Sequence, residues 1–426
     1  MSTIFFISFV VLAVLSMPIA FAMVLAGVMA IIGADTGMPL TSIPQRMYNA
    51  VDSFPFLAVA FFVLVGDLMS AGGVTRRLID LAASVIGAIN GGLAIITQVA
   101  GSLMDAMSGS SAASTAAMGS VMLPEMIREK YGQGWSAAVV AASGVTGVII
   151  PPSITFVVYG SVANVSIGQL FMGGIIPGFM IVASLCILFC IQARVRGYPV
   201  RDNKLSIVGF FTALRRASLA LLIPFIVLGG IYGGFFTPTE AGAIAALYTL
   251  ILATCIYRDL SFQELGKVFV RSGITTGMIM IVVAGANILG FVVTFEQVPQ
   301  QVASFMLMLS ENPTVIMVIL MMLFLVAGMF ITASAAVVIL VPLVMPAVAQ
   351  IGLDPVVFGV LAVVNLGIGT VTPPLGINLF IVSGIGNVPM VKIYRELWPV
   401  LAVLLLDLII LSFFPEIILL LPDLVR

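Results

Sequence analysis

The chain has 426 residues but only 17 Lys+Arg and 18 Asp+Glu, a hydrophobic fraction of 61% and a mean hydropathy of +1.25. Charged residues make up 8%, against roughly 25% in a soluble domain, too few to coat a core of this size, so the chain reads as an integral membrane protein. There is no His, which excludes His triads, HExxH metal sites and His proton relays, and a net charge of −1 without a basic patch argues against nucleic acid.

Residues 1–34 carry no charge, nor do 131–193, 312–353 or 355–391. A spanning helix needs about 20 apolar residues, so the longer stretches each hold more than one pass. The apolar runs are continuous rather than alternating, which selects helices over a β-barrel. The first span is expected over 3–33, too long and too poor in basic residues at its start for a cleavable signal. Further spans follow at 53–70, 136–160, 168–193, 217–235, 240–257, 273–293, 355–382 and 396–421. Two apolar regions, 91–124 and 314–346, are interrupted in the middle by Ser, Thr, Gly and Ala and read as re-entrant hairpins. Between the halves, Arg194, Arg196, Arg201, Lys204, Arg215 and Arg216 stand against a single Asp202. The positive-inside rule puts this loop in the cytoplasm.

An internal repeat accompanies these elements. Pro124 closes the first hairpin region and Pro151-Pro152 follows 27 residues later; Pro346 and Pro373-Pro374 keep the same 27-residue spacing. The Pro pairs are offset by 222 residues, as are Pro177 and Pro399, while Asn164 and Asn387 differ from that offset by one. Around the first hairpin lie Arg76, Arg77, Asp80, Glu125, Arg128 and Lys130; around the second, Glu311, Asn312 and Asp354, with no Lys or Arg nearby. The two hairpins therefore open to opposite faces. Two similar halves of opposite topology are the signature of a secondary transporter.

The chemistry concentrates at the interruptions. The hairpin tips read DAMSGSSAASTAA (Asp105–Ala117) and GMFITASAA (Gly328–Ala336). Small hydroxyl residues let a backbone bend at depth, and their oxygens join freed carbonyls in holding a hard cation; a single such cluster favours helix packing, and two in matching places of the repeat favour the cation reading. The stretches GVTGVIIPPS (Gly144–Ser153) and LGIGTVTPPLG (Leu366–Gly376) are the second element. Proline removes an amide donor and frees a carbonyl one turn earlier, so each Pro pair predicts a broken helix whose carbonyls can coordinate Na⁺. Paired with the hairpins, they predict two cation sites of neutral oxygens.

Asp105 either lines the substrate cavity or caps a half-helix. Glu240 in TPTEA reads as the third residue of a capping box with Thr237. Asp67 and Asp407 read as interfacial, and Trp135 and Trp398 as aromatic-belt residues. Cys186, Cys190 and Cys255 lie in apolar runs and read as packing, as do the 24 Met.

The motifs MSGSSAASTAAMGSVMLPEM, GVIIPPSITFVVYGSVANVSIGQLFMGGIIPG, TPTEAGAIAALY and LGIGTVTPPLGINLF resemble those of the large membrane (M) subunit of tripartite ATP-independent periplasmic (TRAP) transporters, over essentially the whole chain. The resemblance implies an all-α polytopic membrane protein with inverted repeats, two re-entrant hairpins and two broken helices. It implies a Na⁺-driven elevator for an organic anion in the bacterial inner membrane, without a cofactor. It also implies a periplasmic substrate-binding protein (P) and a small membrane subunit (Q), here a separate chain. On this basis the chain divides into scaffold helices (1–90), a first transport half (91–193), a cytoplasmic linker (194–216), scaffold helices again (217–313) and a second transport half ending in a C-terminal helix (314–426).

Carried over by motif, Ser108, Gly109, Ser110, Val145, Val148 and Pro151 look like one Na⁺ site, and Thr332, Ser334, Gly367, Thr370 and Pro373 like the other. Ser110, Ser153, Asp105 and Thr332 are the substrate candidates. Where the family often has GxFxD at the second hairpin, this chain has Thr332 in GMFIT, which departs from the family's substrate contact. Sialic acid and C4-dicarboxylates are the expected substrate classes, with sialic acid the closer by general resemblance. The alternative is an ion-coupled organic anion carrier that needs no binding protein. A membrane enzyme or a channel fits less well, since there is no polar catalytic cluster at depth and two half-sites suit alternating access.

Overall fold

The computed structural model describes residues 1–34, 37–86, 89–198, 206–310 and 312–424. Arg201, Asp202 and Lys204 of the basic stretch and Glu311 beside the second hairpin lie outside the described residues. The fold is all-α: among the described residues no strand forms, and eight helices are long and apolar enough to cross a membrane.

The chain opens with α1 (Ser2–Val14) and α2 (Ile19–Gly33), which pack on each other. This corrects the single span expected over 3–33. Ser16 turns the backbone with φ +64°, and Pro18 brings no amide hydrogen to continue the helix. Two amphipathic helices that the span map lacked, α3 (Ser42–Val51) and α5 (Val74–Val85), flank α4 (Phe54–Ala71). The first hairpin is α6 (Gly92–Ser108) and α7 (Ser111–Arg128). The first broken helix is α8 (Gln133–Ser143), a 3-10 turn at Val145–Val148, and α9 (Ile154–Ala163), followed by α10 (Ile167–Val195).

The second half begins with α11 (Ile207–Tyr232), so Arg215 and Arg216 lie on a helix inside the stretch expected as a loop. Next come α12 (Pro238–Ile251), prolonged by a π turn over Leu252–Ile256, the long α13 (Phe262–Phe295) and α14 (Val298–Leu309). The second hairpin is α15 (Pro313–Phe330) and α16 (Ala333–Gln350), and the second broken helix is α17 (Pro355–Gly369) and α18 (Ile377–Gly386). The last expected span resolves into α19 (Met390–Phe413) and a short α20 (Glu416–Asp423).

The repeat is visible in detail. Asn164 and Asn387 each end the second piece of a broken helix in left-handed conformation, with φ +56° and +48°. Asn tolerates that region better than most residues because its short side chain bonds locally. Both Pro-Pro peptides are cis. Packing crosses between halves: α7 lies against α18 and α16 against α9, while α12 pairs with α4 and α2 with α13. The hairpins and broken helices thus form one interleaved unit, and the apolar core runs through it without interruption.

Trp135, Asp67 and Asp407 are buried against neighbouring helices. Trp135 is 1% exposed, its indole N–H donates to Gln192 Oε1 at 2.8 Å, and its ring stacks on Tyr131. It is therefore not a belt residue, whereas Trp398 is 69% exposed. Asp407 is buried and accepts from Ser184 Oγ at 2.5 Å. Asp67 belongs to the site described next. The capping box forms as expected, with Glu240 and Thr237 exchanging backbone and side-chain bonds at the start of α12. The three cysteines are free.

Candidate functional site

The first hairpin turns in two residues. Gly109 ends α6 with φ +61°, and a Cβ there would lie 2.4 Å from the Pro152 carbonyl oxygen. Glycine is required on both counts. Ser110 then caps α7, its hydroxyl accepting from Ala113 N at 3.4 Å. Behind the turn the Ser108 and Ser114 hydroxyls bond at 2.8 Å. Gly66 of α4 admits this tip to the neighbouring wall, since a Cβ there would stand 3.2 Å from Ser108 Cα. At the second tip Thr332 occupies the cap position of α16 without a side-chain cap bond. The hairpin closes against the broken helix through Gly328 and Gly369, where a Cβ on Gly369 would be 2.5 Å from the Gly328 carbonyl carbon.

The two helix breaks meet. A Cβ on Gly367 would sit 3.1 Å from the Val145 carbonyl oxygen and 3.0 Å from Val148 Cγ2. The Thr370 hydroxyl bonds back to the Gly367 carbonyl at 2.6 Å. Asn378, at the start of α18, ties this crossing together: its carboxamide donates to the Ala141 carbonyl at 3.1 Å and to Thr370 Oγ1 at 3.2 Å, and accepts from Ser111 Oγ at 3.0 Å. Sequence reading missed Asn378, though an amide in an apolar stretch just after a Pro pair was the available signal.

Beneath the tips lies a cavity of about 1060 Å³. Ser108, Gly109, Ser110 and Val148 of the first half and Thr332, Ser334 and Thr370 of the second all line it. The opposite wall comes from α2, α4 and α13 and includes Asp67 and Arg271. The first turns of α7 and α16 both open on this space, through Ser111–Ala113 and Ala333–Ala335. First-turn amides have no partner within their helix, and a helix N-terminus carries about half a positive charge. Two such termini, with hydroxyls between them, suit an anion.

Several expected site residues do not line this cavity. Val145, Pro151, Gly367 and Pro373 are behind the hydroxyl layer and not on the cavity wall. Ser153 is fully buried: its hydroxyl donates to the Val148 carbonyl at 2.5 Å and caps α9 by accepting from Phe156 N at 3.3 Å, so it is committed to the break. Asp105 is neither on the cavity nor a helix cap. It lies within α6, fully buried, and accepts from Thr146 Oγ1 at 2.6 Å, which fastens the first hairpin to the first break. Asp67, expected at an interface, is also buried: it accepts from Ser272 Oγ at 2.7 Å and pairs with Arg271. Arg271 escaped notice because α13 begins before the expected start of that span at 273.

Among the described residues no group of three or more Asp, Glu or Cys could hold a metal ion.

The fold and cavity define a multi-pass membrane transporter built from two inverted halves. The chain belongs to the family described as the tripartite ATP-independent periplasmic transporter DctM component, which it matches over residues 6–417. It is 41% identical over 411 residues to the isethionate TRAP transporter permease protein DctMQ of Oleidesulfovibrio alaskensis. The match covers 96% of this chain but only 64% of that relative. It is 39% identical to the C4-dicarboxylate TRAP transporter large permease protein DctM of Pseudomonas aeruginosa, covering 90% and 89% of the two chains. It is 37% identical to the sialic acid TRAP transporter large permease protein SiaM of Vibrio cholerae, covering 96% and 95%. A solved structure of the Alcanivorax borkumensis YdaH transporter shares the fold, with a TM-score of 0.55 at 15% identity over 85% of this chain and 86% of that one.

Proposed function

We propose that this chain is the large membrane subunit of a Na⁺-coupled carrier that imports an organic anion across the bacterial inner membrane by an elevator motion. The observation that carries this reading is the convergence of the α7 and α16 N-termini, with Ser110, Thr332 and Ser334, on one cavity. A carboxylate or sulfonate would lie across those first turns, and the relatives' names fit that class. They differ on the molecule, naming isethionate, C4-dicarboxylates and sialic acid. Thr332, in place of an acidic residue, leaves the second tip neutral and suited to an anion.

The cation sites are read at the two breaks. Ser108, Gly109, Ser110, Val145, Val148 and Pro151 would hold one Na⁺, and Thr332, Ser334, Gly367, Thr370 and Pro373 the other. Their contact at Gly367 and Val145 would let occupancy of one site stiffen the other. Each net positive charge carried inward gains about 2.3 kcal/mol per 100 mV, enough to drive accumulation when Na⁺ outnumbers the substrate charge. The interleaved hairpins and broken helices would move as a body against α2, α4, α12 and α13. A periplasmic binding protein would deliver substrate, and a separate small subunit would complete the scaffold.

The test is uptake into proteoliposomes holding this chain and its small subunit. Uptake is expected only with an inward Na⁺ gradient and a loaded binding protein. Uptake driven by a proton gradient without Na⁺ would remove the Na⁺ assignment, and uptake without the binding protein would establish the self-sufficient carrier instead. Ser108→Ala and Thr332→Ala are each expected to raise the half-saturating Na⁺ concentration.

A further inference from the structure

Asp67 and Arg271 are the only charged residues among the described residues of the cavity wall. Both belong to the helices opposite the hairpin tips, Asp67 to α4 and Arg271 to α13. An ionisable residue at membrane depth is costly and marks a pathway more often than a packing site. Their pairing is loose: Arg271 Nε lies 3.4 Å from Asp67 Oδ1, while Asp67 Oδ2 accepts from Ser272 at 2.7 Å. The Arg271 side chain is 66% exposed and that of Asp67 only 9%. The guanidinium fork is thus held only loosely and is largely exposed. That fork matches a carboxylate or sulfonate in two-pronged fashion, as a Lys ammonium does not.

A second, open groove of about 600 Å³ is lined by α13 alone, from Gln263 and Lys267 to Arg271, Thr275 and Met278, the last three shared with the cavity. Lys267 and Arg271 stand one turn apart on one face. At the N-terminal end of α13, Asp259 pairs with Arg77 of α5 at 2.5 Å. Arg258 and Arg216 lie at that same end, Arg216 through its carbonyl bond to Tyr257. This is the basic, cytoplasmic end by the positive-inside rule.

We propose that Arg271 is the scaffold contact that takes the transported anion from the hairpin tips, and that Lys267 continues its path to the cytoplasm. The proposal rests on reading the cavity as the substrate's. Asp67 is the competitor that returns Arg271 to its resting pair. When the anion engages the guanidinium, the buried Asp67 loses its partner. When the anion leaves, the pair re-forms, which keeps the contact from becoming a trap. Arg271 and Lys267 are thus specificity residues for anions on the release side, distinct from the neutral groups of the tips.

The test measures initial uptake into proteoliposomes preloaded with increasing unlabelled substrate. The probe is whichever of radiolabelled succinate, N-acetylneuraminate or isethionate the wild-type complex transports. Arg271→Gln is expected to raise the internal concentration giving half-inhibition at least tenfold, with half-saturating Na⁺ unchanged. Arg271→Lys should be intermediate, and Asp67→Asn should lower that concentration severalfold, because the anion then has no rival. Wild-type inhibition in Arg271→Gln overturns the contact, and wild-type inhibition in Asp67→Asn overturns the competition. Should Arg271→Gln fail to fold, Lys267→Gln, in the open groove, is expected to raise the value about threefold, and an unchanged value overturns the exit path. Altered Na⁺ dependence with unaltered internal inhibition would place Arg271 in ion coupling and overturn the proposal. No uptake of any probe by wild type overturns the transport reading, and this contact with it.

Discussion

The Ser111 hydroxyl of the first hairpin donates to the Asn378 carboxamide of the second broken helix at 3.0 Å, joining residues 267 apart in sequence. The same carboxamide bonds Ala141 and Thr370, so one side chain spans three elements from both halves. Asn378 is fully buried, and removing it strands the hydroxyl of Ser111 and the carbonyl of Ala141. Leaving a buried polar group unpaired costs about 1–3 kcal/mol. Asn378→Ala should therefore lower the unfolding midpoint in detergent and, by freeing Thr370, raise the half-saturating Na⁺. Ser111→Ala should do less, since Asn378 keeps its other partners. Equal effects of the two substitutions would show that Asn378 does not integrate the crossing.

Glycine at the first tip gives a second prediction. Gly109→Ala would place a methyl group 2.4 Å from the Pro152 carbonyl oxygen in a left-handed backbone. Both faults separate the hairpin from the break, so transport should fall more than tenfold. Gly277 in α13 has nothing within 4 Å of an added Cβ. There Gly277→Ala should be neutral or should stabilise, by about 1 kcal/mol at most, through helix propensity. Comparable losses in the two variants would mean that close packing at the tip is not what demands Gly109.

Much of this arrangement was legible in the chain. Continuous apolar runs gave the helices, and the Pro pairs, Ser-Gly clusters and the 222-residue offset located both hairpins and both breaks. Proline and glycine act through local backbone geometry, which sequence carries directly. What failed depended on neighbours. The turn at Ser16–Pro18 was hidden within an apolar run, and α3 and α5 are amphipathic and too polar to register as spans. Trp135, Asp67 and Asp407 looked interfacial because charge and aromaticity mark interfaces on average. Each is instead held inside by a polar side chain from a distant helix: Gln192 for Trp135, Ser272 for Asp67, which also pairs with Arg271, and Ser184 for Asp407.

Ser153 gives a prediction that separates ion from substrate. Its hydroxyl is committed to the Val148 carbonyl and to capping α9. Ser153→Ala should cost about 0.5–2 kcal/mol, as other lost caps do. It should shift half-saturating Na⁺ through Val148 while leaving the substrate KM at the wild-type value. A raised KM with unchanged Na⁺ dependence would return Ser153 to the substrate site.

The bond between Thr146 and Asp105 is a fully buried polar link between hairpin and break. Both residues are 0% exposed, and the 2.6 Å bond spans 41 residues of sequence. Thr146 also lies 3.4 Å from Ser102 Oγ, which donates to the Gln98 carbonyl at 2.8 Å, so the link continues along α6. If this bond joins the two elements, the two side chains are energetically coupled. Neighbours in one hydrogen-bond network show interaction energies of about 0.5–3 kcal/mol in a double-mutant cycle. Asp105→Ala and Thr146→Val should each destabilise the chain, while the double variant should lose less than their combined effect. Asp105→Asn keeps an oxygen that can accept from Thr146 and should retain most of the stability. Additive losses in detergent unfolding would show that Asp105 acts on its own, with no part in fastening the hairpin to the break.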